Sequence, residues 1–198
     1  MEDAQAGVYQ DMNWLKYYSE HPMRPPSDFV KWCGEFLAAL SDSPLAIVDA
    51  GCGDGTDSEY LAALGHAVTG IDYALPLDAH GRNCVLARMD VTSMRYVADA
   101  VYCRWLLHSL PKEKASEFLR LVSQGLRDGG TLMIECRSVK DSVEPGHYRR
   151  LINVDELREE LESIGFSVGY CAESRGWSRV EDDDPLLIRI VAAKKYRD

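Results

Sequence analysis

Three glycines and two aspartates are spaced to hold a nucleotide-type ligand. Gly51, Gly53 and Gly55 alternate with Cys52 and Asp54 directly after the apolar run Leu45-Ala46-Ile47-Val48, and Asp72 follows Gly51 by 21 residues. Glycine lets the backbone turn sharply and approach a ligand where side chains would block it. A glycine turn that opens a helix presents free backbone N–H groups, and an acid at the end of the next strand accepts from two ribose hydroxyls. Asp49 adds a further acid just ahead of the turn.

The surrounding sequence supplies the elements that would position these residues. The run at 45–48 does not alternate, so it reads as a strand buried on both faces, as in a parallel sheet. Thr56 or Asp57 can cap the helix that follows; Tyr60, Leu61 and Leu64 form its apolar face, and Gly65 ends it. Ala67 to Ile71 is a second buried strand delivering Asp72. Further strands are expected at Cys84 to Met89, Ala100 to Cys103 and Thr131 to Cys136, with helices over Lys112 to Arg127 and Asn153 to Ser163. Phe166 to Cys171 and Leu186 to Ala193 read as a hairpin joined by a polar loop that holds Trp177 and the acids Glu181 to Asp184. Residues 1–44 read as a helical extension: a short helix near Asp11 to Tyr18, a proline-rich linker from His21 to Pro26, and a firmer helix capped by Ser27.

The G-x-G-x-G spacing differs from the G-x-G-x-x-G of dehydrogenases. The stretch VDAGCGDG closely resembles the first motif of class I S-adenosylmethionine-dependent methyltransferases, and VTGIDYA resembles their second. The resemblance implies a three-layer, Rossmann-like α/β fold. Its mostly parallel seven-strand sheet ends in an antiparallel C-terminal hairpin, within a methyltransferase domain over 45–198 that follows the extension at 1–44. It implies S-adenosyl-L-methionine as cofactor and S-adenosyl-L-homocysteine as product. The cofactor would be held by Asp49, Gly51, Cys52, Gly53, Gly55, Asp72, Tyr73, Met89, Asp90, Val91 and Cys103. In the family an acid placed like Asp90 accepts from the adenine amino group, and the next N–H, that of Val91, meets the ring.

Cys103 to His108 then borders the reactive end of the cofactor, since ligands of open α/β sheets sit outside the carboxyl ends of the strands. Neither the Asn/Asp-Pro-Pro-aromatic motif of base amino-methylating enzymes nor a Pro-Cys nucleophile is present there, which disfavours base methylation. His108 and Arg104 are the catalytic candidates, the histidine to accept a proton or orient the acceptor. The alternatives are a helix-start histidine bonded to backbone and a core-bridging arginine. Arg137, His147, Tyr148 and Arg149, with Lys140 and Arg150, form a local excess of positive charge that suits an anionic acceptor, or else ordinary surface charge. Tyr17 and Tyr18, beside Trp14, act either as a lid over the substrate or as a staple. The function expected is O-methylation of an anionic small molecule such as a phosphonate, phosphate, carboxylate or glycan-linked acid. An inactive S-adenosylmethionine-binding regulatory protein and a nicotinamide-dependent oxidoreductase are the alternatives.

Composition agrees with one such domain. The 198 residues are 46% hydrophobic, enough for a sizeable core, and the net charge of −10 argues against general nucleic-acid binding. No apolar run approaches 18 residues and the acidic N-terminus lacks a signal-peptide pattern, so a cytoplasmic protein without membrane contact is expected, as monomer or homodimer. The six cysteines are scattered singly without a C-x-x-C pair, and the acids of the last loop read as solvated, so no metal is expected.

Overall fold

A computed structural model describes residues 14–20, 25–76, 80–141, 150–178 and 183–196. The elements are α1 (Trp14–Glu20), α2 (Asp28–Leu40), β1 (Ala46–Ala50), α3 (Thr56–Ala63), β2 (Ala67–Asp72), β3 (Val85–Arg88), β4 (Ala100–Arg104), a 3-10 turn (Leu107–Ser109), α4 (Lys112–Gly125), β5 (Thr131–Arg137), α5 (Val154–Ser163), β6 (Phe166–Ser174) and β7 (Leu187–Lys194).

The strands form one seven-stranded sheet in the order β3-β2-β1-β4-β5-β7-β6. The first five are parallel, while β7 runs antiparallel to both β5 and β6, which makes the mixed edge expected from the final hairpin. Strand order reverses between β1 and β4, the switch point at which open α/β sheets bind ligands.

Each face of the sheet carries its own core. On one face α4 and α5 bury Phe118, Leu119, Val122, Leu157 and Leu161 against Val101, Ile134 and Ile190. On the other, α2 and α3 bury Phe29, Cys33, Leu37 and Leu61 against Ile47, Tyr102 and Met133. The Ser27 hydroxyl accepts from the Val30 N–H at 3.0 Å, and the Asn153 side chain accepts from Asp155 and Glu156, so both expected caps form.

Phe29, Val30, Cys33 and Leu37 are fully buried, so α2 packs as a layer on the sheet. One expectation changes. Neither Thr56 nor Asp57 caps α3, whose start is Gly55 in the left-handed region at φ 84°. Asp57 turns outward from its helix instead and accepts from the Ser27 N–H and hydroxyl at 2.8 and 2.7 Å and from the Tyr102 hydroxyl at 2.8 Å. That carboxylate joins the starts of α2 and α3 to β4. No helix among the described residues is long and apolar enough to cross a membrane.

Candidate active site

The glycine turn lies at the carboxyl end of β1. Gly51 and Gly53 take φ of 77° and 59°, conformations that side chains rarely tolerate. A Cβ at Gly51 would stand 3.1 Å from Leu106, so the segment after β4 rests directly on the turn.

Five of the turn's N–H groups, expected to be free, are already bonded. The Gly51 and Cys52 N–H groups both donate to the Ile71 carbonyl at 2.8 and 3.1 Å, and Gly55 donates to Cys52. Gly53 donates to Asp72 Oδ2 at 3.0 Å and Thr56 to Asp54 Oδ1 at 3.0 Å. The parallel register places β2 so close that its end takes the Gly51, Cys52 and Gly53 donors.

Around the turn stands a set of acceptors. Asp72 is 8% exposed and also accepts from the Ala74 N–H at 2.8 Å; burial raises its pKa against the pull of these two N–H groups. A carboxylate has about four lone-pair directions, so two remain for further donors. Asp49 is buried, accepts from the Ser58 hydroxyl at 2.6 Å, and is pushed up to about 8, chiefly by burial. Asp90 is exposed, and one oxygen accepts from both the Thr92 N–H and hydroxyl at 2.7 Å; the backbone N–H holds its pKa below the usual carboxylate range. Val91 is buried beside it, Met89 and Tyr73 are exposed, and Cys103 and Cys52 are buried thiols pushed up by desolvation.

Tyr18 lies on this half of the site. Its ring packs on the turn, with Oη 2.7 Å from the position of a Gly53 Cβ, and its pKa is raised by burial and then by Asp72. Tyr17 packs edge-on to Trp14 and Tyr18, at 5.7 and 5.5 Å between centroids, within the aromatic group of α1.

Beyond β4 the side chains are charged. Arg104, Glu135 and Arg189 pair across β4, β5 and β7 in one register, continuing on the α2 side the apolar row of Tyr102, Met133 and Val191. Glu135 is fully buried and accepts from Arg104 Nε at 3.1 Å, Trp105 Nε1 at 3.2 Å and Arg189 Nε at 2.7 Å. Arg189 stacks over Trp177 at 4.6 Å and Phe29 at 5.1 Å. Trp105 is the one non-glycine residue with positive φ among those described, at 58°. The guanidinium groups of Arg104 and Arg137 each stand over its ring, at 5.2 and 5.5 Å from the centroid. A bulky residue in that conformation is strained and must be held by its surroundings.

His108 is 1% exposed; its Nδ1 accepts from the Arg137 N–H at 3.2 Å and its ring meets Trp105 edge-on. Arg137 is also buried and is paired with Asp141 and Asp183. Lys140 instead reaches Glu173 at 2.5 Å, and Arg150 donates to the His108 and Leu107 carbonyls. His147, Tyr148 and Arg149 lie outside the described residues, as do Glu181 and Asp182 of the acid run.

Trp105, Glu135 and Arg189 escaped the reading of the sequence. A signal was present, since a charge inside a strand of otherwise apolar residues must find a buried partner. Glu135 and Arg189 were such charges.

Residues 48–134 match the family model described as a methyltransferase domain. A comparison with curated proteins finds no match. Among solved structures, the chain is similar to 1,6-didemethyltoxoflavin-N1-methyltransferase of Burkholderia thailandensis, solved with S-adenosylhomocysteine. That match has a TM-score of 0.67 and 21% identity over 85% of this chain and 79% of that one. It is similar to magnesium protoporphyrin IX methyltransferase of Synechocystis PCC 6803 with bound SAH, at a TM-score of 0.68 and 20% identity over 84% and 81%. The cyclase SpnF aligns at a TM-score of 0.69 and 16% identity over 93% and 92%. At such identities the likeness is one of fold, and a fold can host several chemistries.

Proposed function

We infer that this chain, which carries a class I S-adenosylmethionine-dependent methyltransferase domain, transfers a methyl group to an ionised oxygen of an anionic small molecule. The donor set supports the cofactor. Asp49, Asp72 and Asp90 offer acceptors for an ammonium, ribose hydroxyls and an adenine amino group, whereas a pyrophosphate would need backbone donors at a turn where the N–H groups of Gly51, Cys52, Gly53, Gly55 and Thr56 are already bonded. When bound, the cofactor supplies an electrophilic methyl group on a positively charged sulfur.

The chain's own task is then to hold an acceptor oxygen in line and keep water away. The observation that carries the acceptor reading is Trp105, strained and met by two guanidinium groups directly after β4. Arginine matches carboxylate and phosphate oxygens with paired N–H bonds. An ionised acceptor needs no base, so His108, whose Nδ1 accepts from the Arg137 backbone, is assigned to positioning the end of β5.

The test is an acceptor series of matched size and differing charge. Turnover should favour carboxylates, phosphates or phosphonates. Arg137→Met should raise the acceptor KM and leave affinity for S-adenosylhomocysteine unchanged. Turnover confined to uncharged acceptors contradicts the proposal.

A further inference from the structure

Arg137 closes β5 with a side chain only 2% exposed, yet among the described residues its guanidinium is incompletely bonded. Nη1 donates to Asp141 Oδ2 at 2.8 Å, and Asp141, itself buried, also pairs with Arg175 at 3.1 Å. Nη2 donates to Asp183 Oδ2. Nε is buried and has no partner among the described residues.

Nε–H and the adjacent Nη2–H share one edge of the guanidinium, the edge that binds an oxyanion with two parallel hydrogen bonds. Asp183 serves half of that edge. It comes from the loop between β6 and β7, and its side chain is 47% exposed, so water competes for its oxygens. A buried donor left without a partner is unfavourable, and a ligand that reached both N–H groups would remove that defect.

We propose that Asp183 is a resident stand-in for the anionic group of the acceptor, and that an incoming oxyanion takes its place on the Nε–Nη2 edge of Arg137. The proposal rests on the anionic-acceptor reading above and deepens it. Charge favours the exchange: Arg137 and Arg175 balance Asp141 and Asp183, and replacing one carboxylate by another oxyanion preserves the balance. The edge also lies at the right end of the sheet. Arg137 follows Glu135 by two residues on β5, and Glu135 pairs with Arg104 at the end of β4, so a ligand there would stand beside Trp105. Asp183 then acts as a selectivity device, since a neutral molecule gains nothing by displacing a carboxylate from an arginine.

The experiment uses the full chain labelled with nitrogen-15 and saturated with S-adenosylhomocysteine. Benzoate and phenylphosphonate are titrated separately while the arginine Nε–H signals are followed, and calorimetry gives the affinities. Expected is a saturable shift of the Arg137 Nε–H signal, with affinity rising about tenfold in Asp183→Asn, as for one charge-assisted competitor removed. Binding should be lost in Arg137→Lys. The two probes distinguish a carboxylate from a phosphonate as the preferred group. Unchanged affinity in both Asp183→Asn and Asp183→Ala overturns the proposal, as does undiminished binding to a folded Arg137→Lys variant. The S-adenosylhomocysteine titration is read separately, so a failure of the cofactor assignment is distinguishable from a failure of this site.

Discussion

The ring of Tyr18 lies against the backbone of Gly53, so close that a Cβ there would stand 2.7 Å from the phenolic oxygen. The first described helix thus meets the turn expected to hold the cofactor, while α2 is fixed in the core. The two parts of the N-terminal segment should separate on truncation. Removing residues 1–22 should leave a folded domain that binds S-adenosylhomocysteine but loses most acceptor turnover. Removing residues 1–40 should prevent folding, because burying Phe29 alone is worth about 3–5 kcal/mol against its truncation to alanine. Thermal melts and titrations check both. Unaltered kcat and KM after the shorter deletion would reduce Trp14, Tyr17 and Tyr18 to a packing role.

Asp49 should give the ligand-free protein a pH-dependent stability. Its pKa is raised from the ordinary 3.8 to about 8 in the fold, chiefly by burial, so the folded state holds the proton more tightly than the unfolded chain. The stabilisation is fully present below the unfolded value and is lost as pH rises through the folded one, at up to about 1.4 kcal/mol per pH unit between them. Asp49→Asn should remove that component from denaturant melts taken between roughly pH 5 and roughly pH 9. An ammonium group bound at Asp49 would favour the carboxylate, so S-adenosylhomocysteine should release protons near neutral pH in the wild type and fewer in Asp49→Asn. Calorimetry in buffers of different ionisation enthalpy measures the release; equal values in both proteins contradict the role.

Asp72 joins the turn to the strand that follows. Replacing it with alanine removes the acceptor of the Gly53 and Ala74 N–H groups and, on the proposed cofactor reading, of the ribose hydroxyls. Binding of S-adenosylhomocysteine should weaken by roughly 1–3 kcal/mol, the range for bonds to a charged group. An unchanged dissociation constant in a folded variant would remove Asp72 from the site.

His108 should leave no mark on the pH dependence of kcat. A positioning histidine whose Nδ1 accepts from the Arg137 N–H gives a profile without an ionisation near about 6.5, the ordinary histidine value. His108→Gln should raise the acceptor KM more than it lowers kcat. A wild-type profile that rises through that pH and flattens in the variant would restore the histidine as base.

Most of the framework was legible because it rests on local signals. Unalternating runs such as Leu45 to Val48, the glycines between Gly51 and Gly55, and the caps Ser27 and Asn153 each act within a few residues. The final hairpin was legible for the same reason. The partners of the glycine turn were not, because Ile71 and Asp72 reach it through the parallel register of β1 and β2, and register across a crossover leaves no local trace. The same is true of the charged row: Arg104, Glu135 and Arg189 are separated by 31 and 54 residues and meet only when β7 inserts beside β5. The left-handed backbone of Trp105 has no sequence signature either, since an indole is among the residues least suited to it.

The central claim is methyl transfer to an anionic small molecule, and the direct measurement follows the methyl group itself. The full chain is incubated with S-adenosylmethionine carrying a deuterated methyl group and a fractionated pool of small molecules, and products are read by mass spectrometry. The label should appear in an acceptor that carried a carboxylate, phosphate or phosphonate, and should be reduced with Asp72→Ala at subsaturating cofactor and with Arg137→Met. Label recovered only in neutral acceptors or macromolecules, or transferred equally well by Asp72→Ala, contradicts the account.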